Sequence, residues 1–200
     1  MARPVAKDYG TKRQLILDRA AQLFADEGFH RTSVSRVAQA CEISKANVYH
    51  YYSGKDEILF DILNAYLFGL RDSVFALQDD VKNLLPEDQF AATVTKILLD
   101  YQGMDNQHRL QTTVLKHLPV DQQKVLLVYQ RDIVRLVSGL IVAIEPRVFE
   151  NSDEKLRATT MSVFGMLNWY YMWNPNADEQ ARHKYAAHVC QFCKGGFTGL

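Results

Sequence analysis

The 200-residue sequence is short of the features that mark a secreted scaffold, a membrane protein or an enzyme. Its three cysteines make an odd number without framework spacing, which fits a reducing compartment and excludes a disulfide-stapled fold. No apolar run reaches the roughly 18 residues that a membrane span needs, and the basic residues near the start lead into no apolar signal core. The expected location is therefore the cytoplasm, away from the membrane. G-x-S-x-G, H-E-x-x-H, a glycine-rich phosphate loop and a carboxylate pair in an apolar segment are all missing, so neither catalysis nor a cofactor is expected. His108 and His117, nine residues apart on one helix, would project in opposite directions. No segment alternates like a strand, no repeat recurs at about 20 to 50 residues, and no Gly/Ser-rich or Pro-rich tether breaks the chain.

Net charge is also absent, since 23 basic residues balance 23 acidic ones. The balance hides an asymmetry: residues 1–55 carry nine Lys/Arg against five Asp/Glu, a net of +4, which leaves −4 for the remainder. A small basic module on an acidic body fits a nucleic-acid reader joined to something else. With 48% apolar residues the chain can bury a core, and its periodicity is helical almost throughout, so the expected fold class is all-α. Met1 to Gly10 reads as a polar arm carrying Arg3 and Lys7, placed for phosphate or minor-groove contact or else a plain terminus. Thr11 to Glu27 follows as an amphipathic helix with Ile16, Ala20, Leu23 and Phe24 on one face and Gly28 as its left-handed cap.

The most informative stretch runs from Thr32 to Leu59. Thr32 or Ser33 caps a short helix whose Val34, Val37, Ala38 and Cys41 share a face, Glu42 and Ile43 interrupt it, and Ser44 caps a second. In that second helix Val48 and Tyr52 turn inward together, which leaves Lys45, Ala46, Asn47, Tyr49 and His50 on or beside the outward face. Asn bonds an adenine edge bidentately, Lys reaches guanine or phosphate, and Ala46 or a tyrosine ring rests on a thymine methyl. A helix with such a face, entered by a tight turn, suits a major groove. Ser53 with Asp56 caps a third helix that runs to about Gln78, and Lys55 in its first turn points towards a backbone phosphate.

The order Phe24, Gly28, Phe29, Thr32, Ala38, Ser44, Lys45, Tyr49, His50, Tyr51, Lys55 and Leu59 resembles the N-terminal DNA-binding domain of the TetR/AcrR family of transcriptional regulators. The resemblance implies a three-helix helix-turn-helix domain over residues 1–55 and a helical ligand-binding and dimerisation domain over 56–200. It also implies a repressor that binds palindromic operator DNA as a homodimer and leaves it when a small molecule binds. The implied DNA-binding set is Thr32, Ser33, Ser44, Lys45, Ala46, Asn47, Tyr49, His50, Tyr51 and Lys55. Two departures stand out, because the family usually has Gly where this chain has Glu42 and Ala46. A Glu forced to positive φ costs on the order of 1 kcal/mol, which a domain can absorb.

Beyond residue 80 the punctuation divides the chain into helices at about 88–102, 105–118 and 121–145. Two more follow, capped by Asn151 with Glu154 and by Asn176 with Glu179, the last ending at Gly195 and Gly196. Leu156, Thr160, Val163, Leu167 and Tyr171 on one, with Ala181, Tyr185, His188 and Phe192 on the other, form the expected stripe for self-association. The segment from Asn168 to Pro175 holds both tryptophans, and five large side chains in succession encircle the helix, so part of it faces either a core and dimer seam or a ligand cavity. Its wording resembles TetR-family regulators of fatty-acid, steroid and aromatic-acid breakdown that respond to acyl-CoA. The effector expected on that basis is an acyl-CoA thioester, its acyl part against Trp169, Tyr170, Met172 or Trp173 and its phosphates near Arg109, Arg131 or Arg135, with a multidrug or aromatic-compound sensor as the alternative. Those arginines have Asp132 as a competing partner. A helical adaptor whose N-terminal module binds protein is the reading from another class. Cys190 and Cys193 share a helical face in a C-x-x-C spacing with no second pair to complete a metal site.

Overall fold

The computed structural model describes the backbone of residues 3–197 and the side chains of residues 9–196. Among them there is no strand, and these residues form ten α-helices. These are α1 (Arg3–Leu23), α2 (Val34–Ala40), α3 (Lys45–Tyr51), α4 (Lys55–Val81), α5 (Pro86–Asp100), α6 (Asp105–Thr113), α7 (Val120–Ile144), α8 (Pro146–Phe149), α9 (Asp153–Trp173) and α10 (Glu179–Phe197). A π-turn at Phe24–Gly28 prolongs α1, and a 3₁₀ turn at Leu115–His117 follows α6. No described helix is long and apolar enough to cross a membrane.

The chain divides into two compact units, Met1–Tyr66 with Asn106–Leu126, and Leu67–Asp105 with Leu127–Leu200. In the first, Ile16, Ala20, Phe24, Val37, Val48, Ile58 and Leu59 are almost completely buried, the residues that the spacing assigns to one face of each helix. Each such large side chain contributes about 1.5–3 kcal/mol by leaving water. In the second unit α5 packs along α10, and Val94, Ile97, Leu98, Val137, Ile141, Val163, Leu167, Ala186 and Val189 form the core. Arg182 is buried at the junction, where its guanidinium donates to the Leu98 and Ala177 carbonyls. It thereby satisfies an end carbonyl of α5 that would otherwise be buried unpaired.

Several boundaries differ from expectation, each for a local reason. The helix starts at Arg3, so the anticipated arm is helical from there, while Met1, Ala2 and the Arg3 and Lys7 side chains lie outside the described residues. Ser53 is held by Glu57, not by Asp56: its N–H and O–H both donate to the Glu57 carboxylate, at 2.6 and 2.8 Å, and these bonds lower the carboxyl's pKa. Ser152 replaces Asn151 as the cap of α9, accepting from the Lys155 N–H, because Pro146 starts the short α8 just before it. Asp178 replaces Asn176 before α10, accepting from the Ala181 N–H, while Asn176 takes a φ of 61° in the turn. α10 also continues through Gly195 and Gly196, since single glycines weaken a helix without forbidding it.

Candidate nucleic-acid interface

Side-chain caps set the helix-turn-helix geometry. Ser33 accepts from the Arg36 N–H at 3.2 Å to open α2, and Ser44 accepts from the Asn47 N–H at 3.1 Å to open α3. Between them Glu42 sits at φ 56°. Its N–H donates to the Gln39 carbonyl and the next N–H, of Ile43, to that of Ala38, both at 3.1 Å. This paired closure is a Schellman turn, a motif that requires a left-handed residue, so Glu42 stands in the conformation that favours glycine. The turn fixes the direction in which α3 leaves α2.

α3 is anchored by its inward residues. Val48 is fully buried, and the buried Tyr52 donates its hydroxyl to Asp61 of α4 at 2.7 Å, while Arg13 of α1 bonds the same carboxylate. Burial, and then the bond to Asp61, push the Tyr52 pKa far above the ordinary phenol value, so it stays a neutral donor. This triad ties α1, the end of α3 and α4 together. The opposite face of α3 is open: Lys45, Ala46, Tyr49 and His50 are exposed and Asn47 and Tyr51 half-buried. The Lys45 ammonium lies 5.5 Å from the centre of the Tyr49 ring, so the two present a joint cationic and aromatic edge.

Two expected contacts are corrected by their partners. Thr32 is buried and donates its hydroxyl to the Gly28 carbonyl at 2.9 Å, so it closes the turn after α1 and is withdrawn from a DNA face. Lys55 is half-buried, and its ammonium donates to the carbonyls of Phe29, His30 and Thr32 at 2.9, 3.1 and 3.2 Å while lying 4.7 Å from the Phe29 ring centre. Three acceptors match its three protons, which makes Lys55 a tether of the loop before α2. The structure also adds Tyr9, whose ring lies 4.6 Å from that of Tyr51 and 6.4 Å from that of His50. Its place in the helix became legible only once α1 was seen to begin at Arg3.

Of the residues expected at a ligand, Arg109 belongs to the first unit and the others to the second. Tyr170 is buried, stacked at 4.2 Å on Tyr185 and bonded through its hydroxyl to Asn174, so it belongs to the core. Trp169, Met172 and Trp173 are 61%, 51% and 57% exposed on α9. Arg131 and Arg135 are exposed on α7, and the expected competition for Asp132 is resolved otherwise, because Arg71 of α4 pairs with it at 3.3 Å. Arg109 lines a cleft in the first unit. In the self-association stripe, Thr160, Val163 and Leu167 are buried, and the open face of α9 instead carries Met161, Gly165, Trp169 and Met172, at three- and four-residue steps. On α10, Phe192 is 65% exposed, and a groove of about 320 Å³ lies between Phe192, Met166 and Ser162. Burial pushes the thiols up, Cys190 to about 12 and Cys193 to about 11, which keeps both protonated and poor as nucleophiles or ligands. Among the described residues no cluster of His, Cys, Asp and Glu is arranged to hold a metal ion.

Comparison with known proteins agrees with this architecture at both ends of the chain. A family model described as bacterial regulatory proteins, tetR family, matches residues 16–62, and one described as tetracyclin repressor-like, C-terminal domain, matches residues 83–197. A TetR-family transcriptional regulator from Bordetella parapertussis is similar in structure, with a TM-score of 0.85 at 30% identity over 94% of this chain and 96% of that one. The structure of AibR in complex with isovaleryl coenzyme A and operator DNA shares the fold, with a TM-score of 0.74 at 20% identity over 90% of this chain and 97% of AibR. Curated relatives are matched over part of their length: the transcriptional repressor KstR2 of Rhodococcus jostii is 28% identical over 130 residues, 62% of this chain and 61% of KstR2. With family models over both its helix-turn-helix and its C-terminal helices, and a fold match along nearly its whole length, this chain belongs to the TetR family of bacterial regulatory proteins.

Proposed function

We propose that the protein is a ligand-responsive transcriptional repressor that binds a palindromic operator as a homodimer and is released from it by a small molecule. The observation that carries this reading is the bare face of α3, where Lys45, Ala46, Tyr49 and His50 stand open and Asn47 half-buried beside a Schellman turn while Val48 and Tyr52 hold the opposite face. Asn47 and Lys45 supply base-edge and guanine or phosphate donors, and the Ser33 and Ser44 hydroxyls, each accepting a backbone N–H, keep a proton for a backbone phosphate. A single short helix gives little affinity, so pairing through the open faces of α9 and α10 supplies the second half-site contact.

The effector in this reading is an acyl-CoA thioester. Support comes from AibR, a similar structure that holds isovaleryl coenzyme A together with operator DNA. The exposed Trp169, Met172 and Trp173 serve self-association in this reading, and Arg109, Arg131 and Arg135 remain the candidate cations for a phosphate group. Release requires that the ligand favour the arrangement that does not fit DNA. α4, a single helix shared by both units, is the element through which that preference acts.

The test has two parts. Operator fragments selected from the native genome are titrated with wild type and Asn47→Ala; loss of sequence discrimination with retained non-specific affinity is expected. Absence of salt-sensitive retention on any DNA would favour a protein-binding adaptor. A panel of acyl-CoA thioesters and matched free acids is then added to the complex. Release by free acids or aromatic cations, and by no thioester, would turn the effector reading to a multidrug or aromatic-compound sensor.

A further inference from the structure

The first unit contains a cleft of about 480 Å³ bounded by the turn after α1 and by α6 with its 3₁₀ extension. Its floor is apolar, built on Phe24, Phe29 and Val114, with the two phenylalanines buried edge to face at 5.1 Å. Its rim carries four nitrogenous side chains, His30 and Arg31 from one wall and Arg109 and His117 from the other, against one carboxylate, Asp26. That carboxylate lies 3.8 Å from the Arg109 Nη1, too long for a hydrogen bond, so the pair leaves the guanidinium able to turn towards a better acceptor. Arg31 forms no ion pair among the described residues; its Nε donates to the Glu27 carbonyl at 2.8 Å, which orients the guanidinium and leaves its terminal amino groups as donors. Glu27, the other nearby carboxylate, is taken by Arg36 at 2.8 Å. The His30 and His117 rings meet edge to face, with centres 4.7 Å apart, across the cleft.

We propose that this cleft binds a phosphate-bearing anion, held between the Arg31 and Arg109 guanidinium groups with His30 and His117 completing the donor set. Two planar guanidinium forks on opposite walls match the oxygens of a phosphate or diphosphate, and two arginines against the single Asp26 leave the cleft with a surplus of positive charge that an anion offsets. The volume lies within the range of small-molecule sites, and the phenylalanine floor suits a ligand whose phosphates are joined to a flat or apolar group. The anion would touch the loop from Phe29 to Thr32, whose carbonyls Lys55 holds in place immediately before α2. The proposal deepens the effector reading, which already gives Arg109 a phosphate group, and binding is measured without DNA so that it can fail or stand separately from operator release.

The test uses full-length protein without DNA, titrated with pyrophosphate and, separately, with coenzyme A, while the imidazole signals of His30 and His117 are followed by NMR and affinity by calorimetry. Saturable shifts at both histidines are expected, with at least a tenfold loss of affinity in the double variant Arg31→Gln/Arg109→Gln and none in Arg147→Gln, an exposed control on α8. Tighter binding of coenzyme A than of pyrophosphate identifies a nucleotide-linked phosphate as the natural source, and equal binding a free one. Two results overturn the proposal: no shift at millimolar concentrations of either probe, or binding that the double variant leaves intact. An operator affinity that falls in the double variant, with no probe binding by the wild type, would instead make the cleft a contact for DNA phosphates. If pyrophosphate or coenzyme A occupies the cleft while no thioester releases operator, the effector reading fails and the site stands.

Discussion

Replacing Lys55 by Met separates a structural lysine from a DNA-binding one. At the start of α4 the ammonium bonds three carbonyls of the Phe29–Thr32 loop at 2.9 to 3.2 Å, and the side chain is half-buried against Phe29. A hydrogen bond to a charged group contributes about 1.5–3 kcal/mol, and partial exposure leaves this set of three worth about as much as one such bond because the stranded carbonyls can take up water. Met keeps the aliphatic packing, so the expected loss is about 1.5 kcal/mol. In a protein of this size that lowers the melting temperature by roughly 3–6 °C, at about 2–4 °C per kcal/mol. The paired assay is operator affinity against salt concentration. An ammonium whose three protons all point at carbonyls of its own domain donates to no phosphate, so the slope for Lys55→Met should match wild type, whereas Lys45→Met on the open face of α3 should lower it by about one at unchanged melting temperature. A slope reduced by about one in Lys55→Met, with melting unaltered, would refute the tether and restore a direct phosphate contact.

Three further expectations follow from single residues. Trp169→Glu, on the open face of α9, should give folded monomers in sedimentation at micromolar concentration, while Leu167→Glu, 1% exposed, should unfold the second unit; a folded monomeric Leu167→Glu would reverse the assignment of faces. Glu42→Gly should raise stability by about 0.5–1 kcal/mol in urea titration, because φ 56° costs a side-chain residue what glycine escapes, and a loss of stability would mean that the Glu42 carboxylate makes a compensating contact. Cys190 and Cys193, pushed up to about 12 and about 11 by burial, should react with a thiol reagent at pH 8 at least tenfold more slowly than glutathione does, and equal rates would show that α10 opens readily.

What the sequence determined by itself is what local chemistry enforces. Ser33, Ser44, Gly28 and the apolar spacing of Val37, Ala38 and Val48 fix two short helices and the turn between them from residues a few positions apart, so their identity and order are enough. The same holds for the all-helical class, whereas the left-handed conformation of Glu42 was suggested only by the family's usual glycine at that place and was fixed by the structure. What only the tertiary structure decided is where long or amphipathic side chains end up, because their partners lie far away in the chain. Lys55 could have met a phosphate, and meets carbonyls 23 to 26 residues earlier. Periodicity could not say which face of α9 turns inward, since Leu167 and Trp169 sit on stripes of similar apolar content; packing against α5 and α10 buries the first and leaves the second open. The cationic cleft was illegible for the same reason: Arg31 and Arg109 stand far apart in sequence, and only the fold of the first unit brings them to one rim.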